Sequence, residues 1–162
     1  MAKLTRTVIV KAPVEQVFKA LDDPNALPFL YNCVCNLSDF QSSQKRLGDT
    51  FKGTFSVIGL QFDVTFTCTE RDPPLKIVER FEGAMNGTMV FILETRSNST
   101  SVSLQVDYEI SKGLLGKIAN KLLFERMNEK SAERMLENLT IEVEALGARQ
   151  EERAAGRLAA GG

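Results

Sequence analysis

Apolar and polar residues alternate with a period of two through much of the chain as far as Ile110, and the period then lengthens to that of a helix. Leu4 to Lys11 is rich in β-branched residues and sets Thr5, Thr7 and Ile9 against Arg6, Val8 and Val10, which predicts a first strand. Pro13 sits where a helix can begin, because its missing N–H would lack a partner there anyway. Val14, Val17, Phe18 and Leu21 follow as one apolar stripe, and Asp22-Asp23-Pro24 ends it. Asn25 to Tyr31 reads as a second short helix, apolar through Leu27, Phe29 and Leu30, with Pro28 working against it.

Short strands separated by turn signals come next. Cys33 to Phe40 is a weak strand, and Gln41 to Arg46 a polar loop. Thr50 to Ile58 puts Phe51, Gly53, Phe55 and Val57 on one face, and Gly59 turns the chain. Leu60 to Glu70 puts Phe62, Val64, Phe66, Cys68 and Glu70 on one face. Asp72-Pro73-Pro74 breaks that run, and Leu75 to Gly83 then aligns Leu75, Ile77, Glu79 and Phe81. Asn86-Gly87 reads as a turn, with Gly83 to Gly87 a loop between strands. Thr88 to Thr95 aligns Met89, Phe91 and Leu93; Ser97-Asn98-Ser99 turns; Ser101 to Ile110 aligns Val102, Leu104, Val106, Tyr108 and Ile110. Clean alternation implies one buried and one wet face, as in an antiparallel sheet.

From Gly113 the spacing is helical. Leu114, Leu115, Ile118, Ala119 and Leu122 begin it, and Ala132, Met135, Leu136, Leu139, Val143 and Leu146 resume it. Neither Pro nor Gly interrupts Lys117 to Leu146, which predicts one helix of about 45 Å. Residues 1–147 read as a single domain, and 148–162, rich in Ala, Gly, Arg and Glu, as a frayed helix end and mobile tail. The fold class is α+β: a curved antiparallel sheet of about seven strands, two short helices after the first strand, and a long C-terminal helix over the concave face. One helix cannot fill a wide curved sheet, so an apolar cavity between them is expected.

Composition narrows the chemistry. The chain has 162 residues, with 20 Lys+Arg against 21 Asp+Glu and a net charge of −1. That balance offers no overall electrostatic footprint for nucleic acid or an anionic membrane. The absence of histidine removes Ser-His-Asp and Cys-His nucleophile systems and His-containing zinc sites. Cys33, Cys35 and Cys68 are odd in number, and the first two form C-x-C, so small buried hydrophobes are expected rather than a disulfide framework or metal site. No cofactor motif is present, neither GxxxxGK[ST] nor GxGxxG. The N-terminal apolar run is too short for a signal peptide, and no stretch is long enough to span a membrane. A cytoplasmic monomer or homodimer without stable membrane insertion is the expectation.

Several segments carry a family resemblance, in order along the chain. They are Val8–Leu21 (VIVKAPVEQVFKAL), Asp23-Pro24, Gly48-Asp49-Thr50-Phe51, Glu70-Arg71-Asp72-Pro73-Pro74, Phe81-Glu82-Gly83 and Gly113-Leu114-Leu115-Gly116. Over about residues 3–146 the sequence resembles the START-like, or SRPBCC, superfamily. That group includes lipid carriers, polyketide cyclase/dehydrase-like proteins and coenzyme Q-binding proteins. The resemblance implies the helix-grip fold. It brings no catalytic motif with it, because the superfamily hosts binders and enzymes alike.

Three residues are candidates for proton transfer if the protein is an enzyme: Glu70, Glu79 and Tyr108. By alternation each lies in an apolar, inward series, where a carboxyl group could act as acid or base. The plainer alternative is that water reaches the two glutamates near strand ends, or that a bulge shifts the register. The expected cavity lining is Phe55, Val57, Phe62, Val64, Phe66, Glu79, Phe81, Met89, Phe91, Val106 and Tyr108 from the sheet. Leu115, Ile118 and Leu122 join it from the helical part. In the helix, Glu125 and Glu129 fall inside the apolar stripe defined by Ile118 and Leu122 before them and by Leu136 and Val143 after them, with Asn128 at its edge. That polar interruption fits a cavity mouth, a kink, or a solvated turn pairing Glu125 with Lys121. The leading functional expectation is a carrier of a hydrophobic small molecule: a lipid, an isoprenoid quinone or a polyketide-like compound. A cyclase/dehydratase-type enzyme and a protein-interaction or assembly module are the alternatives.

Overall fold

The computed structural model describes residues 2–39 and 46–160. Phe40, most of the expected polar loop (Gln41–Lys45) and the last two glycines lie outside the described residues. The chain runs β1 (Ala2–Val10), α1 (Val14–Asp22), α2 (Leu27–Leu30), β2 (Val34–Ser38), β3 (Thr50–Val57), β4 (Leu60–Asp72), β5 (Lys76–Gly83), β6 (Met85–Arg96), β7 (Ser99–Ile110), α3 (Lys112–Leu115) and α4 (Lys121–Ala160). The seven strands form one antiparallel sheet in the order β1-β7-β6-β5-β4-β3-β2. Every neighbour but β1–β7 is also a neighbour in sequence, so hairpins build the sheet and β1 closes it against the last strand. This is the α+β helix-grip architecture expected.

Local chemistry explains the turns. Ile58 (φ 42) and Gly59 (φ 80) are both left-handed, as a two-residue hairpin loop requires, and glycine carries the second without strain. Ser97 (φ 54) opens the β6–β7 turn. The Asn86-Gly87 turn does not form; both residues lie inside β6. The chain reverses three residues earlier, at Gly83 (φ 148) and Ala84, and the Asn86 side chain accepts the Gly83 N–H at 3.0 Å. Gly87 serves close packing instead: it pairs with Phe81 and Tyr108, and a Cβ there would meet the Phe81 ring and the Asp107 carbonyl.

The inner faces carry the expected series. Phe51, Phe55 and Val57 of β3, Val64, Phe66 and Cys68 of β4, and Ile77 and Phe81 of β5 are buried. Phe51 stacks on Phe66 with ring centroids 4.8 Å apart, and Tyr31 and Phe81 tilt against Phe66 at 5.7 and 6.1 Å. In α1 the stripe Val14, Val17, Phe18 and Leu21 is buried as its spacing predicts. Helix α2 is shorter than expected, a single turn with Pro28 in its first turn, and Phe29 is exposed. Asp22, closing α1, takes a two-pronged pair from Arg71 of β4 at 3.0 and 2.7 Å.

The C-terminal helix differs from expectation at both ends. It begins at Lys121 rather than Lys117, after the separate turn of α3. Ser111 caps α3 by accepting the Leu114 N–H at 3.2 Å, and the Asn120 side chain accepts the Leu123 N–H at the start of α4. Its packed face is Phe124, Asn128, Ala132, Met135, Leu136, Leu139 and Val143. Full burial of such an apolar side chain contributes about 1.5–3 kcal/mol, which holds the helix to the sheet. Past Val143 the helix continues to Ala160 with almost every residue exposed. Ala, Glu and Arg are strong helix formers, so this part needs no apolar period.

Candidate functional site

Between the sheet and α4 lies a cavity of about 70 Å3. The sheet supplies Leu4, Phe55, Val64, Phe66, Phe81, Met85, Met89, Leu104, Val106 and Tyr108. Tyr31, Cys33 and Val34 close one side, and α4 covers it with Asn128, Ser131, Ala132 and Met135. Nearly the whole lining is apolar. Ser131 also lines an outer groove of about 440 Å3, and Tyr108 an outer hollow of about 200 Å3, so the cavity is flanked by surface depressions on two sides.

Asn128 is the exception in the lining. It is 7% exposed, and among the described residues neither its amide oxygen nor its amide nitrogen has a partner in hydrogen-bonding geometry. Such a group costs about 1–3 kcal/mol when buried, so natural structures seldom keep one without a use. Tyr108 stands beside it. Burial raises the Tyr108 phenol above its ordinary value, the nearby Asn128 amide pulls it back, and the charges of Glu125 and Glu129 push it up.

Glu79 is 1% exposed, and the Tyr31 hydroxyl donates a hydrogen bond to its carboxyl group. Burial, and then the carboxylate beside it, lifts the Tyr31 phenol well above its usual range. The Tyr31 ring forms part of the cavity wall, whereas Glu79 lies behind it. Cys33 also lines the wall, and burial pushes its thiol up to about 11.

The sequence-derived candidates fall into three groups. Phe55, Val64, Phe66, Phe81, Met89, Val106 and Tyr108 line the cavity. Val57 and Phe91 are buried in the surrounding core, and Phe62 stacks on Phe55 at 5.1 Å. Leu115 lines the outer hollow, Ile118 is partly buried against the core, and Leu122 is 60% exposed. Glu70 does not join Glu79. A bulge between Cys68 and Glu70 shifts the register, and the Glu70 side chain stands half-exposed, paired with Lys76 at 2.9 Å.

The middle of the helix also resolves differently. Glu129 pairs with Arg6 of β1 at 3.3 Å and Glu125 lies 3.9 Å from Lys121, while Asn128, expected at the edge, points inward. Of the four residues that define the stripe, Leu136 and Val143 are buried, Ile118 is partly buried ahead of α4 and Leu122 is exposed; at this end of α4 it is Phe124 that marks the packed face. Leu4, Tyr31, Cys33, Val34, Met85, Leu104, Asn128, Ser131, Ala132 and Met135 also line the cavity and are absent from the lining the sequence predicts. Met85 was hidden by its assignment to a loop, and Tyr31 by an α2 longer than the real one. Among the described residues, no group of three or more Cys, Asp or Glu is placed to hold a metal ion.

The profile of the family described as "Polyketide cyclase / dehydrase and lipid transport" matches residues 1–144. The chain belongs to this family. The match places its role in ligand binding or polyketide processing and leaves the ligand open. Solved structures share the fold at low identity. A Thermus thermophilus protein is 18% identical with a TM-score of 0.75, covering 90% of this chain and 99% of its own. The Zhui aromatase/cyclase of a Streptomyces species is 18% identical with a TM-score of 0.72, covering 88% and 93%. The Aha1 dimer of Colwellia psychrerythraea is 20% identical with a TM-score of 0.60, covering 86% and 94%. No curated protein resembles the chain closely enough in sequence to count as a match.

Proposed function

We propose that the protein binds and carries a hydrophobic small molecule that bears at least one hydrogen-bonding group. A lipid, an isoprenoid quinone and a polyketide-like compound all fit that description. The observation that supports this reading best is the unpaired Asn128 amide in an otherwise apolar cavity. A ligand carbonyl can accept from its nitrogen, and a ligand hydroxyl can donate to its oxygen. At about 70 Å3 the cavity is well below the roughly 300–1,000 Å3 of ordinary ligand pockets. Loading therefore requires α4 or the α2–β2 segment to move outward.

The test is native mass spectrometry of the freshly purified protein, followed by mass analysis of its organic extract. A reproducible extra mass, recovered as an apolar compound, supports the carrier and gives the chemical class. A clean unliganded mass that persists through challenge with lipids and quinones refutes it.

The buried Tyr31–Glu79 pair favours a second reading, an enzyme of the cyclase/dehydratase type. In that reading Glu79 moves a proton through Tyr31 at the cavity wall. It requires that Glu79→Gln and Tyr31→Phe abolish turnover of a poly-β-keto substrate while the fold persists.

A further inference from the structure

Among the described residues that line the cavity, none carries a charge. Its polar side chains differ in what already engages them. The Tyr31 hydroxyl is committed to Glu79, and Ser131 lies beside the Cys33 thiol. Tyr108 and Asn128 remain, and they adjoin one another. The Asn128 amide is near enough to act on the Tyr108 phenol, yet the two are not in hydrogen-bonding geometry. Tyr108 is 4% exposed, so bulk water has little access to the place between them. The two residues also come from opposite walls, Tyr108 from β7 and Asn128 from α4. A ligand atom lodged there is held from the sheet and from the helix at once.

A carbonyl oxygen has two lone pairs and no proton, so it can accept from the Asn128 Nδ2–H and the Tyr108 O–H together. Burial and the nearby carboxylates of Glu125 and Glu129 keep the phenol protonated, and therefore a donor. The same two carboxylates disfavour an anion at this point. A ligand carboxylate or phosphate would also enter the cavity with no cation in its wall, at a heavy desolvation cost. We propose that Tyr108 and Asn128 form a two-donor clamp that selects a neutral carbonyl compound, a ketone, ester or quinone, and rejects carboxylates and phosphates. The apolar remainder of such a ligand lies against Phe66 and Phe81. The inference rests on the carrier reading and narrows its ligand class.

The test is calorimetric titration of the full chain with three probes of nearly one shape. They are 2-acetylnaphthalene, 2-isopropenylnaphthalene (a CH2 in place of the carbonyl oxygen) and 2-naphthoate. Each neutral hydrogen bond is worth about fivefold in affinity, so the ketone should bind about thirtyfold more tightly than the hydrocarbon. The naphthoate should bind more weakly than the ketone. Tyr108→Phe and Asn128→Leu should each reduce the ketone's advantage over the hydrocarbon about fivefold, with thermal melts showing that both variants fold. A ketone labelled with 13C at the carbonyl gives a second readout that a purely structural role would not move. Its bound signal should lie downfield of its position in hexane, and each variant should shift it back. That signal in the wild-type protein tests the clamp even where a variant fails to fold. Equal affinity for ketone and hydrocarbon, tighter binding of the naphthoate, or an advantage that neither variant reduces overturns the clamp and leaves the carrier reading standing. Binding of none of the three probes would overturn both.

Discussion

Replacing Asn128 with leucine tests whether the cavity is built around a polar anchor. The side chain is 7% exposed, and among the described residues neither amide atom has a hydrogen-bond partner. Removing an unsatisfied buried amide relieves about 1–3 kcal/mol. Leucine is also the better helix former, worth a further ~0.5 kcal/mol inside α4. Its larger side chain has the adjoining 70 Å3 of empty space to enter, so overpacking does not offset the gain. The variant should be more stable by about 1.5–3.5 kcal/mol, which for a domain of this size raises Tm by about 3–14 °C. Ligand affinity should move the other way. A bound compound would bury its polar group opposite a methyl, at a loss of about 1–3 kcal/mol, or roughly 5–150-fold in Kd. Thermal melts followed by circular dichroism give the first quantity. Titration with the compound recovered from the organic extract gives the second. A variant that melts lower than wild type and binds with unchanged affinity would refute the reasoning, because the amide would then be satisfied and idle.

Other outcomes follow from the same geometry. Tyr31→Phe removes the hydroxyl that donates to the buried Glu79 and should cost about 1–3 kcal/mol in urea denaturation; a loss near zero would mean the pair contributes nothing to the fold. Asp22→Ala leaves the partly buried Arg71 guanidinium without its two-pronged partner, for an expected loss of about 2–3 kcal/mol after allowance for Arg71's exposure; a melt within a degree of wild type would contradict it. With its thiol near 11, Cys33 should alkylate slowly at neutral pH and about tenfold faster per pH unit up to that value, because only the thiolate reacts and burial disfavours it. A bound ligand should protect Cys33 while exposed Cys35 still reacts, as peptide mass mapping would show; equal protection of both, or of neither, would count against Cys33 lining the occupied site.

Much of the sheet is legible in the sequence because its inner face is dry and its outer face wet. One residue of slippage would turn Phe51, Phe55 and Val57 into water, so alternation ties the register to the sequence. Features that depend on a local exception are not legible in this way. Glu70 and Glu79 look equivalent when read by twos, yet a single extra residue between Cys68 and Glu70 turns one outward to Lys76 and leaves the other buried beneath Tyr31. Nothing in the residue types there demands a bulge. Asn86-Gly87 has the composition of a turn and lies within a strand, because its side-chain oxygen caps the reversal beside it.

The helical part shows why the cavity was harder to read than the fold. A helix that advances 100° per residue carries any error in its starting phase along its whole length. A stripe through Ile118, Leu122, Leu136 and Val143 selects Glu125 and Glu129, but Ile118 precedes α4 and Leu122 faces water, so only its second half lies on the packed face. Setting the phase at Phe124 brings Asn128, Ala132, Met135 and Leu139 to the sheet and places the amide in the cavity wall. Leu122 itself stands exposed, while Ile118 is partly buried against the core. The residue that interrupts the fold's regular pattern is therefore the one that suggests how it is used: a polar group where the core should be dry.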